Sequence, residues 1–263
     1  MESEKKRHWV LVHGACHGAW CWYKLVVLLK SAGHQVTALD MAASGINPKQ
    51  VHHLNSISEY FEPLMEFLRS LAPEERVILV GHSLGGICIS VAMEMFPTKI
   101  AAAVFVTAWM PSPDLSYFTL AQQFQHSLES NLDLKIMFDE NTRKDRNGTR
   151  IFGPQFLASY LYQLSPPEDL TLALSLLRPT CIYADEELLK ENTKLTRDNY
   201  GTVAKVYIVC EQDKVLKHDF QLSMIERNPP NDVKVIVGAD HMPMFSKPQE
   251  LFSHLQDIAN TYY

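Results

Sequence analysis

The sequence predicts an α/β fold: a mostly parallel sheet with helices on both faces and an inserted helical cap. Three observations carry this expectation. Short apolar runs rich in β-branched residues alternate with longer amphipathic runs in the first and last parts of the 263-residue chain. That alternation marks strand–helix–strand crossovers in a parallel sheet. Second, Val77-Ile78-Leu79-Val80 halts at Gly81-His82-Ser83-Leu84-Gly85, and a helical run follows. Strand, sharp turn and helix form the context in which a G-x-S-x-G pentapeptide becomes a nucleophile elbow. Third, the alternation breaks from about Ser112 to Leu189, where prolines and glycines separate short helical pieces.

The chain therefore divides into residues 1–111, the first part of the core; 112–189, the cap; and 190–263, the second part of the core. A hydrophobic content of 46% is enough for one large core at this length.

The elements follow in order. Trp9-Val10-Leu11-Val12 reads as a buried strand within His8 to His13. Trp22, Leu25, Leu28 and Leu29 make the apolar face of a helix that Gly33 ends. Gln35 to Asp40 is the second strand, and Met41 to Gln50 is a loop punctuated by Ser44-Gly45 and Asn47-Pro48. Tyr60, Leu64, Phe67, Leu68 and Leu71 place an amphipathic helix over Ser58 to Leu71. Next come the strand Val77 to Val80, a helix from Gly86 to Phe96, and the strand Ile100 to Val106. In the cap, Phe118, Phe124, Met137, Phe138, Phe152, Phe156, Tyr160 and Tyr162 supply bulk that would close a pocket and exclude water. The alternation resumes with the strand Val203 to Cys210, a helix over Asp219 to Glu226, the strand Val233 to Val237 and a closing helix from Gln249 to Tyr262.

Charge and cysteine usage narrow the function classes. A net charge of −6 and a pI near 6.0 give no basic surface for nucleic acid or an anionic membrane. No run of eighteen apolar residues predicts a membrane span. The five cysteines, Cys16, Cys21, Cys88, Cys181 and Cys210, have no metal-type spacing. The N-terminus, Met1 to Arg7, is charged and lacks a signal-peptide apolar region. A cytoplasmic protein with reduced thiols is expected. The sequon Asn147-Gly148-Thr149 has no secretory context and is set aside.

Ligands of such sheets sit beyond the carboxyl ends of the strands. Nucleophilic catalysis by serine needs a base for its proton, an acid to orient that base, and amides for the oxyanion. Ser83 is the candidate nucleophile, His241 just past the last strand the base, and Asp213 just past the preceding strand its orienting acid. The order Ser, Asp, His is that expected of this architecture. Glu211 is a weaker rival for the acid because it would still lie on the strand; Asp240 adjoins His241, and neighbouring residues on a turn point apart. The amides of Ala15, in the loop after the first strand, and of Leu84, at the start of the elbow helix, are candidate oxyanion donors. His17 is a candidate for the pocket wall. His13 and His17 stand four apart, but Gly14 and Gly18 argue for a loop and no third ligand is near. No metal and no cofactor are expected.

These residues have a family likeness. His13-Gly14-Ala15-Cys16-His17-Gly18-Ala19-Trp20, Gly81-His82-Ser83-Leu84-Gly85-Gly86, Ala239-Asp240-His241-Met242, Ala42-Ala43-Ser44-Gly45 and Val206-Tyr207-Ile208-Val209-Cys210 resemble the plant methylesterase branch of the α/β-hydrolases. The likeness runs nearly end to end and is weakest from about Asp114 to Arg150. It implies the triad Ser83, Asp213 and His241, the oxyanion amides of Ala15 and Leu84, and small methyl esters as substrates. Esters of salicylate, jasmonate, indole-acetate or an alkaloid acid are of that kind, and the acyl side would lie under the cap. The expected partner is a small-molecule ester, with no nucleic acid and no membrane, and the cap could support a homodimer. Two sister activities share the fold. Hydroxynitrile lyases of the family carry threonine at the position of Gly14 and lysine at that of Met242, and methylketone synthases lack the serine. A non-enzymatic, salicylate-like binding role is the third alternative.

Overall fold

The computed structural model describes residues 6–125, 130–138 and 147–263. Of the sequence expectations, the charged stretch at residues 1–5 and the cap residues 126–129 and 139–146 lie outside it.

Six strands form the main sheet: β1 (His8–Val12), β2 (Gln35–Leu39), β3 (Val77–Ser83), β4 (Ile100–Ala108), β8 (Lys205–Cys210) and β9 (Asp232–Ile236). Their order is β2-β1-β3-β4-β8-β9, and every neighbouring pair is parallel. β3 and β4 sit in the middle and are buried along their whole length, as a strand covered on both faces must be.

Two apolar layers flank the sheet. One joins Val10, Leu79 and Phe105 to the helices α2 (Ile57–Ser70) and α3 (Gly85–Met95). The other joins Trp9, Leu11, Ile78 and Val104 to α1 (Tyr23–Ser31) and the last helix, Pro248–Tyr262. Alternate residues of β1 and β3 thus feed opposite cores, the period-two rule of a strand.

Helix boundaries follow local chemistry. The Ser56 hydroxyl accepts from the Glu59 amide, and Glu59 Oε2 accepts in return from the Asn55 amide, at 3.3 and 3.0 Å; these side-chain bonds satisfy donors at the start of α2. Gly33, at φ +87°, closes the turn after α1, a conformation that costs a glycine little.

The region between β4 and β8 differs from the expectation of helical pieces alone. It holds α4 (Tyr117–Gln125) and the helices Pro167–Leu176 and Glu186–Asn192, but also a second, antiparallel sheet. That sheet is β5 (Lys135–Met137), β6 (Gly148–Ile151) and β7 (Thr180–Ile182). Its strands are three or four residues long and draw on partners distant in sequence, so no period-two run announces them.

Candidate active site

The elbow is built from steric necessity. Ser83 has φ +52°, a left-handed conformation that an L-residue holds only when its surroundings impose it. A Cβ on Gly81 would lie 2.7 Å from the Gly85 carbonyl oxygen, and one on Gly85 would lie 2.6 Å from that of Val12. Glycine at both positions lets the strand, turn and helix close around the serine. The main chain of α3 starts at once, so the Leu84 amide lies at a helix N-terminus, where the backbone dipoles favour negative charge.

Three strand ends converge here. Ser83 Oγ lies 3.1 Å from His241 Nε2, with geometry for the hydroxyl to donate. His241 Nδ1 lies 2.6 Å from Asp213 Oδ2. The serine is 9% exposed, His241 2% and Asp213 4%, so the relay is almost dry and its bonds are little screened. The amides of Val215 and Leu216 donate to Asp213 Oδ1 at 2.6 and 3.0 Å, and Thr107 Oγ1 donates to Oδ2. A carboxylate with this many donors is held firmly in place.

Thr107 was not legible in the sequence. The β3–β4 pairing slips between His82 and Ser83, so that Ser83 faces Ala108 rather than Thr107. Thr107 takes φ +36° at this irregularity and swings to Asp213, 106 residues away. Bulges commonly re-aim a side chain in this way beside a site. The His82 role was also missed. Its Nε2 donates to the His241 carbonyl at 2.7 Å, and its ring lies 4.8 Å from the His241 ring. Burial holds the His82 imidazole well below its ordinary pKa and therefore neutral.

Asp240 and Glu211 do not reach His241. The buried Asp240 carboxylate accepts from the Met242 and Leu164 amides and from the Ser165 and Ser246 hydroxyls, at 2.8–3.0 Å, which ties the histidine loop to the chain at residues 164–165. Glu211 accepts from the Gly238 amide at 3.2 Å.

Ala15, Ser83 and Leu84 line one cavity of about 230 Å³. Neither amide, Ala15 or Leu84, donates to another group among the described residues. The turn at Ala15 is fixed from the far side: the Cys16 amide donates to Thr180 Oγ1 at 2.6 Å, and the Arg178 amide to the Cys16 carbonyl at 3.1 Å. Residues of β7 and the segment before it therefore hold the loop after β1.

His17 departs from expectation. It does not line the cavity. Its Nδ1 donates to the Ala15 carbonyl at 2.9 Å, its Nε2 accepts from the Tyr162 hydroxyl at 2.7 Å, and its ring stacks on Trp20 and Tyr162. Burial pushes its pKa down to about 3, so it is a neutral spacer between the loop after β1 and Tyr162. His13 is likewise committed, to the Gly14 carbonyl and the Met41 amide. No group of three or more metal-ligating side chains occurs among the described residues.

The opposite wall is aromatic. Trp109 meets Tyr117, Phe124 and Phe220 edge-on at 5.1–5.8 Å, and Phe152 stacks on Phe156 at 5.2 Å. Of the aromatic residues singled out in this region, Phe118, Phe124, Phe152 and Phe156 reach the cavity. Tyr160 and Tyr162 pack into the core instead, and Met137 and Phe138 are exposed. All five cysteines are unpaired and buried; burial raises their thiol pKa values, that of Cys181 to about 11, so they are poor nucleophiles.

Comparison with known proteins agrees with this architecture. Residues 9–254 match the model of the alpha/beta hydrolase family. The chain is 56% identical over 261 residues to methyl jasmonate esterase 1 of Vitis vinifera, covering 99% of both chains. It is 45% identical to salicylic acid-binding protein 2 of Nicotiana tabacum, covering 97% of this chain and 98% of that one. Tomato methylketone synthase I, in complex with 2-tridecanone, superposes with a TM-score of 0.93 at 48% identity, covering 99% of this chain and 100% of the other. The chain belongs to the alpha/beta hydrolase family.

Proposed function

We propose that this member of the alpha/beta hydrolase family hydrolyses the methyl esters of small carboxylic acids through an acyl-enzyme. The observation that carries the reading is the continuous line from Ser83 Oγ through His241 to the Asp213 carboxylate. The names of the relatives, methyl jasmonate esterase and methylesterase, support methyl esters as the substrate class.

In this reading His241 Nε2 takes the proton as Ser83 Oγ attacks the ester carbonyl carbon. Asp213 keeps the His241 proton on Nδ1 and stabilises the imidazolium that forms. The Ala15 and Leu84 amides receive the charge that develops on the carbonyl oxygen. His241 returns the proton to the leaving alkoxide, methanol departs, and water repeats the cycle on the acyl-enzyme. Residues 112–189 act as the cap over the acyl group, and their aromatic wall excludes bulk water. The five buried thiols support a reducing, cytoplasmic setting. No helix among the described residues is long and apolar enough to cross a membrane.

The sister activities are less well supported. Met242 is fully buried and uncharged, so it supplies no cation for a departing cyanide. Ser83 is present, against the decarboxylating route. A binding-only role is suggested by the name of the tobacco relative and is separated by turnover. Release of methanol from methyl jasmonate, methyl salicylate or methyl indole-acetate is expected. Ser83→Ala should abolish it, by roughly 10⁴-fold or more in kcat, with binding retained. Wild-type turnover in Ser83→Ala would refute the mechanism.

A further inference from the structure

Arginine is charged at all relevant pH values and brings five N–H donors. The described arginines other than Arg150 spend that capacity inside the protein. Arg69 and Arg197 pair with Glu62 and Asp114. Arg76, Arg178 and Arg227 donate to carbonyl or amide oxygens, and Arg7 lies over the Tyr263 ring. Arg150, on β6, is different. It lines the cavity with Ser83, its Nε is buried without a partner, and no ion pair to its guanidinium occurs among the described residues. No aspartate or glutamate lines this cavity, and Arg150 is its one charged lining residue among those described. The buried hydroxyl of Tyr183, which lines the same cavity, also lacks an oxygen or nitrogen partner.

Leaving such donors unmet in a largely apolar chamber is costly. A purely hydrocarbon acyl group would leave them so on binding, whereas one carrying an acceptor oxygen would satisfy them. The main chain of Arg150 is well anchored: it pairs in register with Thr180, whose hydroxyl fixes the Cys16 amide, and its carbonyl accepts from Cys16 Sγ. The side chain thus springs from a fixed point near the loop that carries Ala15.

We propose that Arg150 selects the substrate. It receives an oxygen acceptor, ketone or carboxylate, borne by the acyl group away from the ester, so that oxo-esters and dicarboxylic half-esters are preferred to plain alkyl esters. The assignment rests on the methylesterase reading, and its test separates the two.

Matched esters at two chain lengths serve as probes: methyl octanoate, methyl 7-oxooctanoate and monomethyl pimelate, with methyl hexanoate, methyl 5-oxohexanoate and monomethyl glutarate. In the native enzyme, kcat/KM for at least one acceptor-bearing ester should exceed that of its alkyl partner by tenfold or more. Sites built to hydrogen-bond a substrate group discriminate against analogues lacking it. Which of the two acceptors leads distinguishes a ketone from an anion as the ligand. Arg150→Met should bring that ratio close to one, mainly through KM, and Arg150→Lys should restore part of the preference for the half-ester. An unchanged ratio in Arg150→Met, or an equal fall for all six esters, overturns the assignment. The same esters are titrated against Ser83→Ala, where binding is read without turnover. If the native enzyme cleaves none of them while Ser83→Ala still binds the acceptor-bearing esters more tightly, and loses this with Arg150→Met, the hydrolase reading falls and Arg150 stands. Equal binding of all esters to Ser83→Ala with and without Arg150 overturns the role of Arg150 alone.

Discussion

The two walls of the cavity are built on opposite principles. On the sheet side, the oxygens of the Asp213 and Asp240 carboxylates accept from several donors each, His241 is bonded through both ring nitrogens and its carbonyl, and Ser83 is locked in a left-handed turn. On the side of the three-stranded sheet, short strands and rings enclose the space, the Arg150 Nε has no partner among the described residues, and the Tyr183 hydroxyl has no oxygen or nitrogen partner. The difference teaches a division of labour. In the proposed mechanism, chemistry that fails with a small displacement would sit where packing and hydrogen bonds over-determine position. Selection among acyl groups, as proposed for Arg150, would fall to the wall whose polar atoms are left unmet inside the protein.

This contrast can be broken first at Asp213. Asp213→Asn keeps the shape but destroys the acceptor that fixes the His241 tautomer. A fall in kcat of about 10³–10⁴-fold is expected, measured by methanol release. A loss under tenfold would mean that the sheet side is less tightly coupled than its geometry suggests.

Thr107 gives a smaller and sharper test. Thr107→Val removes one donor to a buried carboxylate, an interaction of about 1.5–3 kcal/mol when charged. The expected result is roughly a ten- to hundredfold lower kcat with little change in KM. A change confined to KM would assign Thr107 to the cavity wall instead.

The seam between the walls is tested by pH. His17 has a folded-state pKa of about 3, below its unfolded value near 6.5. The unfolded chain therefore binds the proton that the folded one refuses. The stability from neutral His17 is complete above about pH 6.5 and is lost as pH falls toward about 3, by roughly a few kcal/mol. His13 and His82 are lowered by burial too and act in the same direction. Thermal melts should show Tm dropping across this window, and His17→Gln should show a shallower drop.

The smallest effect belongs to the outer edge of the three-stranded sheet. Met137 is 49% exposed on β5, so Met137→Gln should change stability by less than about 0.5 kcal/mol in a denaturant titration. A larger loss would show that the small sheet is as strictly packed as the large one.

Much of the sheet side was legible. Six strands, the elbow and the ends carrying Asp213 and His241 were readable because each is written in contiguous residues: apolar runs, a glycine pair, a histidine just past a strand. Boundaries shifted by one to three residues, as at Lys205, Ala108 and Ser83, where the ladder rather than the pattern sets the end. The segment between β4 and β8 was legible only as an interruption of the strand–helix alternation. Its three-stranded sheet pairs β6 with β7 across some thirty residues of intervening chain, and its exposed Met137 and Phe138 mimicked lining residues. His17 misled because a loop histidine between glycines resembles a site residue, and only its bonds to Ala15 and Tyr162 reveal a spacer.

Sequence alone determined what depends on neighbours along the chain: the strand–helix alternation, the glycines that permit a left-handed serine, and the order of Ser83, Asp213 and His241. Tertiary structure decided what depends on meetings between distant segments. It brought Thr107 to Asp213, His82 to the His241 carbonyl and Thr180 to the Cys16 amide, and it left the Arg150 Nε without a partner among the described residues. The physical reason is that periodicity and backbone strain are local energies, fixed within a few residues. Whether a polar group is satisfied is settled only when the whole chain has closed around it.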